Sequence, residues 1–225
     1  MSEDGMTIAV QLVAGMYLPA YDEHFAEHLR SGPLVDGRGT YQLAKLRAAL
    51  DVSRRRGLAV DVGAHVGLWT RILAMEFASV VAIEPLPEHA ACLRRNTAHQ
   101  PNVVLHELAL GAAPGRLSLE RTAGIATARV SIFGDVYVEA CRLDDLRLAG
   151  VDLLKIDCEG FEHFVLRGAE ETVRRDRPTI VIEQKKRRAE RYGVDRLAGV
   201  ALLRSWGAEL MWDMAGDYCL AWPTP

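Results

Sequence analysis

A chain of 225 residues with 49% hydrophobic and 25% charged side chains is long and apolar enough to bury a core without disulfides or structural metal. Its formal charge of −3 supplies no broad positive field, which excludes bulk electrostatic attachment to nucleic acid. No apolar run approaches the roughly 20 residues of a bilayer span, and "MSEDGMTIAVQLVAGMYLPA" lacks a basic leader and cleavage site, so a cytoplasmic protein free of the membrane is expected.

In chain order, apolar positions at helical spacing predict two helices, near 22–30 (Phe25, Leu29) and 40–53 (Leu43, Leu46, Leu50), separated by the breaker-rich "SGPLVDGRGT". Residues 1–55 therefore read as an N-terminal helical extension to a domain over 56–225. From Leu58, short apolar runs ("LAVDV", "VVAIE", "NVVLH", "VDLLKID", "TIVIE") alternate with amphipathic segments at 68–77, 87–99 and 161–174. Near-continuous apolar strands are buried on both faces, which predicts a parallel sheet covered by helices. Residues 111–140 interrupt this rhythm with short β-prone pieces and glycines, an insertion that either extends the sheet or carries substrate contacts. A helix near 194–205 precedes "AELMWD" and "DYCLAW", joined by "MAG", an antiparallel hairpin. The four cysteines, Cys92, Cys141, Cys158 and Cys219, have no metal-ligand spacing and are expected to be buried free thiols.

"VDVGAHVGLWT" (60–70) places Gly63 and Gly67 where a buried strand hands over to a helix, so main chain can approach a ligand there. The run lacks the glycines of a dinucleotide fingerprint and the Gly-Lys-Ser/Thr of a P-loop, so phosphate binding is disfavoured. Asp61, a charge at the end of an apolar strand, suits a ligand ammonium group. Glu84, about twenty residues on, stands where Rossmann-like folds accept ribose hydroxyls. An amino-acid end plus a nucleoside end describes S-adenosylmethionine.

Together with "VVAIEPLPEHAACLRRN", "NVVLHELALG", "VDLLKIDCEGFEHFVLRGA" and "RPTIVIE", this stretch resembles the FkbM family of S-adenosylmethionine-dependent methyltransferases over about residues 58–184. His65 stands where that family often has Asn. The resemblance implies an α/β fold of the Rossmann-like class I methyltransferase type. Its seven-stranded, mostly parallel sheet would have the order 3-2-1-4-5-7-6, with strand seven antiparallel. It also implies O-methylation of a sugar or natural product, with Asp61, Gly63, His65 and Gly67 around the methionine part of the cofactor, Glu84 on its ribose, and Leu108 or Ala109 near its adenine.

Methyl transfer to oxygen requires an oriented hydroxyl and often a proton acceptor. "KIDCEGFEH" and "IEQKK" both end adjacent strands at the carboxyl edge of the sheet. Either Asp157 or His163 acts as general base, or Asp157, Glu183 and Gln184 hold a divalent cation such as Mg²⁺ that acidifies the hydroxyl. Structural duties compete: Asp157 and Glu159 as loop or helix-cap residues, His163 as a helix-face residue, Asp144 and Asp145 as caps, His24 and His28 as a surface pair, "QKKRRAER" as a solvated face, and the tryptophans at 206, 212 and 222 as packing. The expected function is an O-methyltransferase for a small-molecule hydroxyl acceptor, without nucleic-acid partners. The rival is a noncatalytic nucleoside-binding scaffold, which has no use for Asp157 and Glu183 aimed at a sulfonium. The exposed helical pair offers a face for a homodimer.

Overall fold

The computed structural model describes residues 8–121 and 127–223, so the first seven residues of the extension and part of the expected 111–140 insertion lie outside it. The chain opens with a hairpin of β1 (Val10–Val13) and β2 (Met16–Pro19), followed by α1 (Glu23–Ser31), the short pair β3 (Leu34–Val35) and β4 (Arg38–Gly39), and α2 (Leu43–Val52). Both helices fall where the apolar spacing puts them, but an all-helical extension is corrected by the two hairpins. The first turns on Ala14 (φ 47°) and Gly15 (φ 73°), a two-residue turn with both residues left-handed, whose twist matches that of the flanking strands.

The extension is also not a separable unit. Met16, Leu18, Phe25, Ala26 and Leu29 form one buried cluster with Val66, Leu68 and Cys92 of the main domain. Asn96 fixes the seam: its side-chain carbonyl accepts from Tyr17 N at 2.7 Å, and its amide donates to Val66 O at 2.8 Å.

The alternating part follows as β5 (Leu58–Val62), α3 (Leu68–Glu76), β6 (Ser79–Ile83), α4 (Pro87–Asn96) and β7 (Val103–His106). Between β7 and the next core strand lie β8 (Ala109–Leu110), β9 (Gly115–Arg121), β10 (Ala128–Val130) and β11 (Val136–Cys141), then β12 (Val151–Ile156), α5 (Glu162–Arg167), α6 (Glu170–Asp176), β13 (Thr179–Glu183), α7 (Ala198–Ser205) and the hairpin of β14 (Glu209–Met214) and β15 (Asp217–Ala221). The main sheet has the order β14-β15-β13-β12-β5-β6-β7, and β15 runs antiparallel to both of its neighbours. This is the class I methyltransferase arrangement. Every residue of β12 and β13 is buried, as continuous apolar runs with helices on both sides require. The insertion does not extend that sheet; it forms its own four-stranded sheet, β10-β9-β11-β8.

The carboxyl ends of β5 and β12 approach so closely that Gly63 (φ 71°) cannot be replaced: a Cβ there would lie 1.9 Å from the Asp157 carbonyl oxygen. The loop after β12 is held by Glu162, wholly buried, whose Oε1 accepts from Cys158 N at 3.0 Å and Gly160 N at 2.8 Å. Burial pushes this carboxyl up from its ordinary 4.5 to about 7, against the opposing pull of the amide hydrogen bonds.

Two outcomes follow from these contacts. Gly63→Ala should cost at least about 2 kcal/mol through left-handed strain and the carbonyl clash, seen as a melting point lower by roughly 4 °C or more; an unchanged melting point would refute the close approach. Because the folded state retains the Glu162 proton between its ordinary 4.5 and about 7 while the unfolded chain has released it, this group's contribution to stability falls as pH rises through that window and levels off above it. Glu162→Gln, which keeps an acceptor for both amides, should therefore gain in melting temperature relative to wild type between pH 5 and pH 7.5, whereas a constant difference would show that Glu162 does not titrate there.

Candidate functional site

A cavity of about 400 Å³ sits over the carboxyl ends of β5, β6 and β12. Its floor is the β5–α3 turn (Gly63, His65), one wall is Glu84, Leu86 and residues 108–110, and the opposite wall is Asp157–Glu159 with Glu183, Lys185 and Arg188. The inserted sheet roofs it through Leu119, Ala128 and Val130, and α1 closes the remaining side through His24, Phe25 and His28. The choice left open for the insertion is thereby decided: it lines the cavity.

The turn after β5 continues onto the end of β6, with Gly63 N and Ala64 N donating to Ile83 O at 3.0 and 3.1 Å. Glu84 locks the turn: its Oε2 accepts from His65 N at 2.8 Å and its Oε1 from Leu86 N at 3.0 Å, while His89 Nδ1 stands 3.4 Å from Oε1. A carboxylate fixed through one lone pair on each oxygen still has acceptor capacity toward the cavity. Leu108 and Ala109 are in the lining as well.

Two residues of the turn differ from the sequence reading. Asp61 does not line the cavity; it is fully buried, takes a hydrogen bond from Thr70 Oγ1 at 2.7 Å, and meets an ammonium supplied from within, Lys155 Nζ at 3.0 Å. Lys155 also donates to Gly63 O at 3.1 Å. The physical reason is register: Asp61 and Lys155 are neighbours across β5 and β12, so the charge is matched inside the sheet. Gly67 (φ 85°) likewise is not in the cavity lining; a Cβ there would lie 3.0 Å from Leu93 Cγ, so this glycine lets α3 start against α4.

Opposite Glu84, one carboxylate oxygen from each of Asp157, Glu159 and Glu183 lies within 4.8 Å of the others. Glu183 is pushed well above the ordinary carboxylate range, first by burial and then by the neighbouring Asp157 charge. Arg188 bridges Glu183 and Glu159, reaching the latter at 2.8 Å, and Lys185 pairs with Glu183. Among the described residues, no cation lies within ion-pair distance of the Asp157 carboxylate.

The expected divalent-ion set changes in one member: Asp157 and Glu183 are close enough to share an ion with Glu159, not with Gln184. Gln184 is turned into the protein, its Oε1 accepting from Gly199 N at 2.9 Å and its amide donating to Glu183 O at 3.2 Å, so it is no ligand. Glu159 and Glu183 already engage the side-chain cations Arg188 and Lys185, which compete with an added ion. His163 is corrected as well: it lies on α5 outside the cavity lining, its ring packed edge-on to Phe164 at 5.5 Å, and cannot reach a substrate there. Asp144 caps α6 by accepting from Glu171 N and Thr172 N at 3.2 and 2.9 Å. Cys92 and Cys219 are buried free thiols, but Cys141 and Cys158 are only half-buried, and Cys158 lines the cavity.

Sequence reasoning passed over His89 and Tyr41, took Phe25 only as a helix-packing position and put Arg188 on a solvated face, yet all four are in the lining, as is Lys185 of the same run. His89 follows Glu84 by five residues, at the first turn of a helix opened by Pro87, so it was legible in principle; Phe25 and Tyr41 were not, because their ring contacts with each other (4.9 Å) and with His65 (Phe25, 4.5 Å) depend on how the extension folds back. His24 and His28, rings 4.6 Å apart, are cavity residues rather than a detached surface pair. No helix of the described residues is long and apolar enough to cross a membrane.

Comparison with known proteins agrees with this architecture. The structure of an FkbM methyltransferase from Methylobacillus flagellatus KT superposes with a TM-score of 0.51 at 19% identity over 74% of this chain and 44% of that one, so the chain spans less than half of that protein. Precorrin-6y C5,15-methyltransferase from Geobacter metallireducens GS-15 gives a TM-score of 0.50 at 14% identity, covering 83% of this chain and 94% of the other. A methyltransferase from Geobacter sulfurreducens gives 0.50 at 16% identity, covering 85% and 82%. Identities this low establish the fold alone. No curated protein sequence is significantly similar. The family model for the methyltransferase FkbM domain, however, matches residues 61–210, running from Asp61 through the Asp157 loop and Glu183 into β14, and by that match the chain belongs to the FkbM methyltransferase domain family.

Proposed function

We propose that this chain is a cytoplasmic S-adenosylmethionine-dependent O-methyltransferase acting on a hydroxyl of a small molecule, a sugar or a secondary metabolite. The residues fit the cofactor. The cavity volume falls within the range of small-molecule sites. Gly63 leaves the main chain bare, Glu84 retains acceptor capacity for a ribose, and Leu86 and Ala109 form with Leu119 a buried apolar wall suited to a flat base. When bound, the cofactor supplies a methyl carbon on a sulfonium sulfur, and the carbon–sulfur electron pair leaves with sulfur as the acceptor oxygen bonds to that carbon.

The observation that carries the reading is Asp157, a cavity-lining carboxylate without an ion-pair partner among the described residues. Asp157 takes the hydroxyl proton, and the Arg188-bridged pair Glu159 and Glu183 positions the acceptor through its remaining lone pairs. A binding scaffold has no use for a third carboxylate beside two that already take up the neighbouring cations Arg188 and Lys185. His24 and His28 on α1 shut water from the acceptor side.

Asp157→Asn should lower kcat by about 10²- to 10⁴-fold on an accepted hydroxyl substrate while S-adenosylhomocysteine affinity by calorimetry stays within about threefold; wild-type turnover in the variant would remove Asp157 from the chemistry. Dialysis against EDTA should leave methyl transfer unchanged, since Arg188 and Lys185 already serve Glu159 and Glu183, and a loss restored by Mg²⁺ would reinstate the metal mechanism.

A further inference from the structure

The inserted sheet lines the cavity through Leu119, Ala128 and Val130, but the turn joining β10 to β11 stays outside the lining. In that turn Ile132 is 90% exposed and Phe133 84%, the highest values among the large apolar side chains of the described residues. The turn holds its shape through its own hydrogen bonds: Ser131 N donates to Ser118 O at 2.9 Å, Ser118 Oγ to Gly134 O at 2.8 Å, and Phe133 N to Ser131 Oγ at 3.2 Å. Gly134 closes it against β9, where a Cβ would lie 2.4 Å from the Leu119 carbonyl. Two adjacent apolar side chains are thus held out in water, although removing either from water would be favourable.

A cationic rim adjoins this tip. Tyr192 Oη donates to Val130 O at 2.9 Å, which ties residues 185–192 to the strand that leads into the turn. Lys185 and Arg188 of that run are engaged by Glu183 and Glu159. Lys186, Arg187 and Arg191 are exposed, and among the described residues none of the three has an acid within ion-pair distance. The acids beside the tip are already met, Glu120 by Arg129 at 3.0 Å and Asp135 by Arg121 at 3.4 Å, while Glu190, the solitary acid of the run, stands against Arg191 and Arg196.

Charge and shape together select what can cover this corner. Nucleic acid offers phosphates but no apolar layer to receive the tip. A stable protein interface takes about 800 Å² from each partner, more than two side chains on one turn supply. An anionic bilayer offers both parts, headgroups for the cations and an acyl boundary that accepts aromatic and aliphatic side chains at shallow depth. We propose that Ile132 and Phe133, flanked by Lys186, Arg187 and Arg191, dock the protein on an anionic lipid surface. Val130, Lys185 and Arg188 of the same two segments line the cavity, so docking holds the cavity beside the lipid. The proposal reverses the expectation of a protein free of the membrane and is independent of which hydroxyl the chain methylates.

Co-sedimentation of the full chain with lipid vesicles tests it. Vesicles of equal parts phosphatidylcholine and phosphatidylglycerol should bind at least about tenfold more tightly than pure phosphatidylcholine, since each Lys or Arg near an anionic surface contributes about fivefold. Raising the salt from about 0.1 M to about 0.5 M should remove most of that preference. Ile132→Ser combined with Phe133→Ser should weaken binding to the mixed vesicles by about tenfold or more, and Lys186→Gln combined with Arg187→Gln by a similar factor. Both pairs alter exposed side chains outside the cavity lining, so melting temperature and S-adenosylhomocysteine affinity should stay at wild-type values. Absence of binding to the mixed vesicles overturns the proposal, and equal binding to both vesicle types removes the cationic rim from it. Attachment that ignores the tip variant also overturns it, and if single-stranded RNA then holds the wild type more tightly than the vesicles do, the cations belong to a nucleic-acid surface instead.

Discussion

The site is built on one ion pair inside the sheet. Asp61 and Lys155 stand opposite each other on β5 and β12, the two central strands, with side chains almost wholly out of water. Removing one partner from such a buried pair typically costs about 3–5 kcal/mol, and the pair persists because its remaining valences are spent locally, Asp61 on Thr70 and Lys155 on the Gly63 carbonyl. The same contacts that satisfy the charges therefore fix the turn at the end of β5 relative to the loop at the end of β12. Donor side and acid side of the cavity share a common anchor.

A second layer of electrostatics separates the roles of the remaining acids. Glu84 is tied to backbone amides, Glu162 to the amides of its own loop, and Glu159 and Glu183 to Arg188. Asp157, one residue beyond the end of β12, is left facing the cavity with no salt-bridge partner among the described residues. One half-exposed carboxylate thus stands beside the Arg188-bridged pair, and this results from where the cations are placed rather than from their absence.

The parallel strands and the terminal hairpin could be read from the chain because continuous apolar runs such as "TIVIE" and the short "MAG" link have few alternative meanings, whereas the strand order came only with the family resemblance. That Gly63 and Glu84 line the cavity was equally legible, since strand-end positions follow once the strands are assigned; Leu108 and Ala109 in the lining followed from the family resemblance. Asp61 was misread because a strand end suggests a ligand, whereas its actual partner arrives from a strand ninety residues away and depends on register. Gln184 and His163 failed for a related reason: sequence proximity to the carboxyl edge does not say which way a side chain turns, and Gly199 claims one while α5 carries the other aside. The hairpin before α1 carried a local signal in the Ala14–Gly15 turn, but its docking on Asn96 is purely tertiary.

The roof over the cavity begins and ends side by side, for β8 and β11 pair in parallel at its base. An excursion hinged in that way can lengthen, shorten or change its inner face without shifting β7 or β12. The visor over the cavity is thus separable from the scaffold beneath it, and its inner face can be altered without disturbing the ion pair that anchors the sheet.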